Sequence, residues 1–191
     1  QVVNPGRASE ISLKDDTWKP FTIGIKDLDE VIQNARNNNI IGFLTICTKV
    51  EELDDLRRMA GKYNLWYSGG IHPNNIIDKA SYKNLSDFFR FSEDKNFIGI
   101  GETGLDYFRE EGRSNRAAQI ASFDSQLQIA NETRLPIVVH TRSAEKDTID
   151  LIKNHPGVTG VLHCFTESWE MAKVALDLGF YISISGIVTF K

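Results

Sequence analysis

The sequence predicts an α/β fold built on a parallel sheet. From about residue 41 to residue 188, six apolar runs of strand length alternate with segments in which apolar residues recur every three to four positions. The runs are nearly continuous in apolar character, as strands covered on both faces are. Such alternation implies strands joined by crossover helices. Two arrangements of the sheet are possible: an open doubly wound sheet or a closed (β/α) barrel. No Gly-x-Gly-x-x-Gly follows the first strand, which weakens the case for a dinucleotide-binding fold.

The chain divides into an N-terminal arm and one domain. Residues 1–26 are predicted to form the arm because residues 1–20 are polar and aperiodic, although residues 21–25 (FTIGI) have the character of a short strand. Residues 27–191 contain no linker and are too few for two full domains. Within this domain the predicted strands cover residues 41–48, 65–72, 97–104, 135–142, 157–165 and 180–188.

The helices between the strands are predicted from apolar residues at helical spacing. Asp27 with Glu30 suits the N-terminus of the first helix, and Ser168 can cap a last helix that closes at Gly179. Further helices are expected around residues 82–91 and 144–154. The clearest apolar stripes are Leu28, Val31, Ile32 and Ala35; Leu53, Leu56 and Ala60; and Ile120, Phe123, Leu127 and Ala130.

Composition limits the classes of partner. The chain of 191 residues has a formal net charge of −4, so a polyanionic partner would be held locally, by a metal ion or a few arginines, and not by a broad basic surface. No apolar run approaches the roughly 18 residues of a membrane span. Cys47 and Cys164 lie in separate apolar runs, which favours free thiols in a reducing compartment and predicts a cytoplasmic location, or a nuclear one in a eukaryote.

Three predicted strands end on residue types that bind metal ions. Glu102 follows FIGIG, His140 follows PIVV and His163 follows GVL. In parallel α/β folds the carboxyl ends of the strands meet on one rim, so these side chains are expected to converge above columns of aliphatic residues. Two imidazoles and a carboxylate are a common ligand set for zinc, manganese or iron. Cys164 is expected to point away from its neighbour His163, which argues against a Cys–His nucleophile pair.

Two further polar residues are placed near this rim. His72 closes GGIHP at another strand end, where it either contacts substrate, supports the ligands or has no role. Arg142, two residues beyond His140, either clamps a phosphate or forms a salt bridge at the rim. Both are predicted to be substrate-binding residues.

Several segments, taken in order, resemble the TatD family of metal-dependent deoxyribonucleases. They are GIHPN, GIGETGLDY, QIASFDSQLQIANETRLPIVVHTRSA, GVLHCFT and YISISGIV. The likeness runs from about Asp27 to Lys191. It implies a parallel (β/α) barrel hydrolase that cleaves phosphodiester bonds in DNA, or in RNA, with two divalent cations such as magnesium, manganese or zinc. It also implies that Glu102 is catalytic and bridges both cations, and that His140 and His163 complete one of the two sites.

The chain departs from the family pattern in two places. The family begins with a strand that ends in His-x-His, and no two of the four histidines here have that spacing. The family also carries an aspartate after its last strand, and no corresponding segment follows residues 180–188. A full barrel usually needs at least about 200 residues. We therefore expect an incomplete barrel with six to seven of eight strands, one cation instead of two, and impaired activity.

Two alternatives to a nuclease stay open at this stage. One is an inactive remnant of the family that binds a single metal ion or a partner chain, which the missing His-x-His favours. The other is an amidohydrolase acting on C–N or ester bonds. Such enzymes often use a modified lysine as the bridging ligand, where this chain has Glu102. The sequence does not decide the oligomeric state.

Overall fold

The computed structural model describes residues 25–77, 85 and 87–189 of the chain. Within these residues six strands form one sheet, in which every neighbouring pair is parallel and the strand order follows the chain. The strands are β1 (Leu44–Thr45), β2 (Trp66–Gly69), β3 (Phe97–Asp106), β4 (Ile137–Arg142), β5 (Gly160–Leu162) and β6 (Tyr181–Ile182).

The strand order decides between the two closures left open by the sequence. A doubly wound sheet reverses its strand order at a switch point, where ligands bind. The order here is sequential from β1 to β6, which is the order of strands in an arc of a (β/α) barrel. The prediction of a parallel α/β fold with an incomplete barrel is confirmed, with six strands in the described part of the chain.

Helices connect successive strands of the arc. The segment from residue 107 to residue 116, between β3 and the long fifth helix, contains a short helix that starts at Glu110. The described helices are α1 (Ile25–Asn37), α2 (Leu53–Tyr63), α3 (Asp87–Phe91), α4 (Glu110–Ser114), α5 (Arg116–Thr133), α6 (Glu145–Asn154) and α7 (Trp169–Asp177). No helix in these ranges is both long and apolar enough to cross a membrane.

The strands at the two edges of the arc are shorter than predicted. β1 and β6 contain two residues each, and within the described residues each pairs with one neighbour only. The strand predicted over residues 180–188 is wrong beyond Ile182, where the chain leaves the ladder, and a 3₁₀ turn follows at Gly186–Thr189.

Some predicted elements fall outside the described residues. Of the predicted arm (residues 1–26) and its strand (residues 21–25), residues 1–24 lie outside, and Ile25 already belongs to α1. Of the helix predicted around residues 82–91, the structure describes the part in α3, whereas residues 82–84 and 86 lie outside.

The core lies between the outer face of the sheet and the helices. An aromatic cluster fills one end, where the Tyr67 ring packs edge-on against Phe97 and Phe91, with ring centroids 5.3 and 6.3 Å apart. Phe123 and Leu127 of α5 are completely buried. Side chains of the inner face line a cavity of about 270 Å³. Its lining residues include Ile98, Val138 and Val161, which precede Glu102, His140 and His163 in the sequence.

Candidate metal centre

Glu102 lies in β3, and the backbone around it holds its carboxylate at the rim. Its N–H donates to the carbonyl of Cys47 at 2.8 Å, and the Ser68 hydroxyl donates to the carbonyl of Gly101 at 2.6 Å. Gly101 has a φ of +127°, which residues with a side chain rarely adopt. These contacts fix the backbone at Glu102 so that its side chain is mostly buried, with 15% of it exposed.

A close approach of two backbones sets the spacing between β2 and β3 at this point. A Cβ atom at Gly70 would lie 2.3 Å from the Cα atom of Gly101 and 2.8 Å from the carbonyl oxygen of Glu102. Only a residue without a side chain fits there. The chain beyond β2 can therefore pass directly beside Glu102 and carry His72 to the same rim.

His72 is buried and its ring is oriented by the turn that follows it. Its N–H donates to the carbonyl of Thr48 at 3.0 Å. Its Nδ1 accepts from the N–H of Asn74 at 3.1 Å, at the start of the 3₁₀ turn Pro73–Asn75. This hydrogen bond leaves Nε2 directed toward Glu102, with 3.9 Å between Nε2 and Oε1. In the neutral ring the proton then lies on Nε2, so His72 presents an N–H to the carboxylate.

His140 lies in β4 between two carboxylates of β3. Its Nδ1 is 3.5 Å from Oε1 of Glu102, and its Nε2 is 3.1 Å from Oδ2 of Asp106. The Asp106 carboxylate is itself fixed, because its Oδ1 accepts from the N–H of Phe108 at 3.0 Å. A carboxylate on one ring nitrogen orients an imidazole and leaves the other nitrogen available to a metal ion.

Three side chains in the described part of the chain meet the geometric requirement for a shared metal ion. They are His72, Glu102 and His140, and their nearest ligand atoms all lie within 4.8 Å of one another. Two imidazoles and a carboxylate suit zinc, manganese or iron. A buried carboxylate also needs a positive partner, so the chemistry of the group fits a divalent cation.

The charges within the group support the same conclusion. Burial opposes the ionised form of Glu102, but the hydrogen bond to His140 and the charges of His72, His140 and His163 keep the pKa of Glu102 below its usual value. Burial also opposes the charged form of His140, whereas Asp106 and Glu102 together raise the pKa of His140 to about 9. In the metal-free protein a proton on His140 thus provides positive charge that a cation would replace.

His163, the third ligand predicted from the sequence, lies outside the group of three. Its N–H donates to the carbonyl of Val139 at 2.8 Å, and its ring is close enough to lower the pKa of Glu102. Nε2 of His163 is instead 3.5 Å from the sulfur of Cys164. The expectation that Cys164 points away was wrong because β5 ends at Leu162 and Cys164 has a φ of +50°.

Arg142 ends β4, and its guanidinium lies over the ring of Phe108, 3.7 Å from the ring centroid. It forms an ion pair with no carboxylate in the described residues. Burial opposes the ionised form of Asp106, but the hydrogen bonds from His140 and Phe108 and the charges of His140 and Arg142 lower the pKa of Asp106 overall. Arg142 therefore supplies positive charge beside the group of three.

Sequence reasoning missed Asp106 and two glutamines that support the rim. Gln119 of α5 accepts from the N–H of Asp106 at 2.8 Å and donates to its carbonyl at 3.2 Å. Gln126 makes the same pair of bonds with Ile71, at 2.9 and 3.4 Å. The available signal for Asp106 was an acidic residue at the end of an otherwise apolar strand.

We expect Asp106→Asn to weaken metal binding about 10- to 100-fold, as loss of a carboxylate behind a ligating histidine does. The asparagine oxygen can still accept from Phe108, but its NH₂ group cannot accept from Nε2 of His140. Titration of the metal-free protein with Mn²⁺ or Zn²⁺, followed calorimetrically, measures the change. An unaltered dissociation constant would show that Asp106 does not orient a ligand.

The parallel arc and the group at its carboxyl rim together define a class, that of (β/α) barrel proteins with a metal-binding rim. A family model described as TatD related DNase matches residues 16–191. The chain therefore belongs to the TatD family, whose named members include metal-dependent hydrolases.

Individual relatives agree with the family assignment. The chain is 37% identical over 169 residues to an uncharacterized metal-dependent hydrolase, YcfH, of Escherichia coli K12, covering 87% of this chain and 62% of the relative. It is 34% identical over 170 residues to the 3'-5' ssDNA/RNA exonuclease TatD of Klebsiella pneumoniae, covering 85% and 62%. The chain thus spans a little under two thirds of the length of these relatives.

Solved structures share the fold. A TatD homologue from Escherichia coli K12, YJJV, superposes with a TM-score of 0.76 at 24% identity, covering 86% of this chain and 64% of that chain. A TatD family hydrolase from Entamoeba histolytica gives a TM-score of 0.73 at 23% identity, covering 87% and 58%. At these identities the likeness shows the arc of the barrel, and the chemistry depends on the site itself.

Proposed function

We propose that this chain is the metal-binding part of a phosphodiester hydrolase that acts on single-stranded DNA, with RNA as a further substrate. The observation that carries the proposal is the group formed by His72, Glu102 and His140 at the carboxyl rim of the sheet. The family supports it, and relatives at 32% and 34% identity are named 3'-5' ssDNA/RNA exonucleases.

Four residues at this rim would have tasks in the reaction. A divalent cation, when bound, would polarise a phosphoryl oxygen and lower the pKa of a water molecule. Glu102 and His140 would hold that cation, and Asp106 would keep the ring of His140 in the binding orientation. Arg142 would contact the phosphate, because its guanidinium has no ion pair with a described carboxylate.

The structure and the sequence prediction differ on the third metal ligand. Distances in the described residues group His72 with Glu102 and His140, whereas the family resemblance favours His163 and places His72 at the substrate. Nδ1 of His72 accepts from Asn74, so Nε2 of the neutral ring carries the proton, which suits a donor to substrate better than a metal ligand. Comparing the cation affinities of His72→Ala and His163→Ala decides between them. The variant that removes a metal ligand should bind the cation more weakly. The variant that removes a substrate contact should bind the oligonucleotide more weakly and the cation as wild type does.

A second candidate function is binding of one cation without turnover. The observation that favours it is that the described residues contain one such group of three, whereas two-metal phosphodiester hydrolysis uses two ions about 4 Å apart. Measured metal content distinguishes the two functions. About one ion per chain and no cleavage would support this second candidate.

The test of the proposed function is cleavage of a 5'-labelled single-stranded oligonucleotide in the presence of Mn²⁺, Mg²⁺ or Zn²⁺. We expect cleavage that depends on the cation, stops with chelator and is lost in His140→Ala. A matched control is His155→Ala, because His155 pairs with Asp124 at 2.8 Å away from the candidate metal centre. Equal activity in wild type and His140→Ala would remove the assignment.

We also propose a cytoplasmic location. Cys47 and Cys164 are both free thiols, and burial raises the pKa of Cys47 to about 12, which keeps it unreactive. Free cysteines at these positions suit a reducing compartment.

A further inference from the structure

A half-exposed phenylalanine lies next to the candidate metal centre and is held in place by it. The side chain of Phe108 is 53% exposed, two residues beyond the end of β3. A single exposed apolar residue is ordinary, so exposure alone carries no meaning. The contacts around this residue set it apart from the other exposed aromatics.

The backbone of Phe108 is tied directly to the candidate metal centre. Its N–H donates to Oδ1 of Asp106, whose other carboxylate oxygen is 3.1 Å from Nε2 of His140. One carboxylate therefore positions both the histidine ring and the start of the loop that carries Phe108.

The loop is braced from its other side as well. Nη1 of Arg113 donates to the carbonyls of Tyr107 and Phe108, at 3.3 and 3.1 Å. Gly112 of α4 packs so closely that a Cβ atom there would lie 2.0 Å from the carbonyl oxygen of Asp106. The Phe108 ring is therefore presented on a supported turn with little freedom to fold away.

A positive charge covers the ring of Phe108. The guanidinium of Arg142 lies 3.7 Å from the ring centroid, in the range of a cation–π contact. Arg142 is opposite Asp106 in the β3–β4 register, so strand pairing fixes this stack relative to the centre. Arg142 is exposed and forms no ion pair with a described carboxylate.

A planar ring beside a planar cation, at the edge of a phosphate-processing site, has the chemistry that recognises a nucleobase. Bases stack on aromatic rings and on guanidinium planes without regard to sequence. We infer that Phe108 and Arg142 form a stacking platform for the base adjoining the phosphate at the metal centre, with Phe108 as the base-contacting residue. This inference rests on the proposed nuclease function and adds the group by which single-stranded substrate is held.

The experiment measures binding, not cleavage. A fluorescein-labelled oligonucleotide of six thymidines is titrated with the full chain in the presence of EDTA, and anisotropy reports the dissociation constant. A second oligonucleotide has the same six sugars and phosphates but no bases. We expect Phe108→Ala to weaken binding of the first about 10-fold and to leave binding of the second unchanged. Phe108→Trp should bind the first at least as tightly as wild type.

A matched control separates the platform from general loss of aromatic surface. Phe89 is the same residue type, is 40% exposed and lies on α3, which packs against the outside of the sheet. Phe89→Ala should bind both oligonucleotides as wild type does. Thermal unfolding of both alanine variants checks that each is folded at the assay temperature.

The outcomes separate this inference from the proposed function. Tight binding of six thymidines that depends on Phe108, without cleavage when metal is added, would retain the platform and refute the nuclease. Equal weakening on both oligonucleotides, or none on either, would overturn the platform. So would a wild-type chain that does not distinguish the oligonucleotide with bases from the one without, whatever the cleavage assay shows.

Discussion

Glu102→Gln is expected to lower the affinity for a divalent cation by at least about 100-fold. Loss of a residue that only orients a ligand already costs 10- to 100-fold, and this change removes the charge of the carboxylate itself. Glutamine keeps the size and shape of the side chain, so the contacts of Glu102 with the His72 and His140 rings can be preserved. Calorimetric titration of the metal-free protein measures the effect, and metal-dependent cleavage should fall with it.

Thermal unfolding provides a second measurement of the same change. A cation present at 100 times its dissociation constant stabilises the folded protein by about 2.7 kcal/mol, and the variant should lose this increment. Glu132→Gln is the matched control, because Glu132 is exposed near the end of α5 and bonds only to Gln128 among the described residues. If Glu102→Gln retained the cation-dependent increment, Glu102 would not be a ligand.

Gly70→Ala is expected to destabilise the fold by about 3 kcal/mol or more, at the upper end of what overpacking costs. The new methyl group would lie 2.3 and 2.5 Å from the Cα and carbonyl carbon of Gly101. Backbone atoms cannot rotate aside, so the end of β2 must move away from β3. Urea unfolding measures the loss in free energy of unfolding, and cation titration shows whether His72 has moved away from Glu102.

Gly61→Ala is the matched control for this substitution. Gly61 lies in α2, and a Cβ atom there would meet nothing within 4 Å. Alanine in a helix interior is more stable than glycine by about 0.5–1 kcal/mol. The two Gly-to-Ala changes should therefore have opposite signs. A stabilising or neutral Gly70→Ala would mean that β2 and β3 can separate at no cost.

The sequence was sufficient to predict the parallel sheet and to place Glu102 and His140 at one rim of it. Apolar runs alternating with helical stripes predicted all six strands, and the strand ends that carry charged or imidazole side chains include Glu102 and His140, which the structure brings together. His140 lies inside a regular paired strand, where alternation governs which way a side chain points. Glu102 reaches the same rim at the point where the register of β3 shifts, so regular alternation alone did not decide its direction.

Beyond the strand ends, alternation no longer predicts the direction of a side chain. β5 ends at Leu162, so alternation no longer applies to His163, and the direction of His72 is set by a turn. β3 continues to Asp106, and its register shifts between Ile100 and Thr103, which hid the role of Asp106. A single sequence contains no period that reports such shifts.

The glutamines of α5 illustrate a different limit. The apolar stripe of this helix was predicted correctly at Phe123, Leu127 and Ala130, yet the helix also buries Gln119 and Gln126 completely or nearly so. Buried amides are acceptable only when their hydrogen bonds are made, and here the partners are backbone groups of Asp106 and Ile71. Those partners are distant in sequence, so local pattern could not indicate them.

These two glutamines couple the position of α5 to the backbone on both sides of the candidate metal centre. They lie seven residues apart, which is about two turns of helix. Gln119 bonds both the N–H and the carbonyl of Asp106 at the end of β3, and Gln126 bonds the same two backbone groups of Ile71 just after β2. Sliding or rotating the helix would break the hydrogen bonds of both glutamines together. Loosening of α5 on warming would therefore reach the two flanks of the centre as one cooperative event, and the alignment of His72 with Glu102 would be lost as a unit and not by gradual drift.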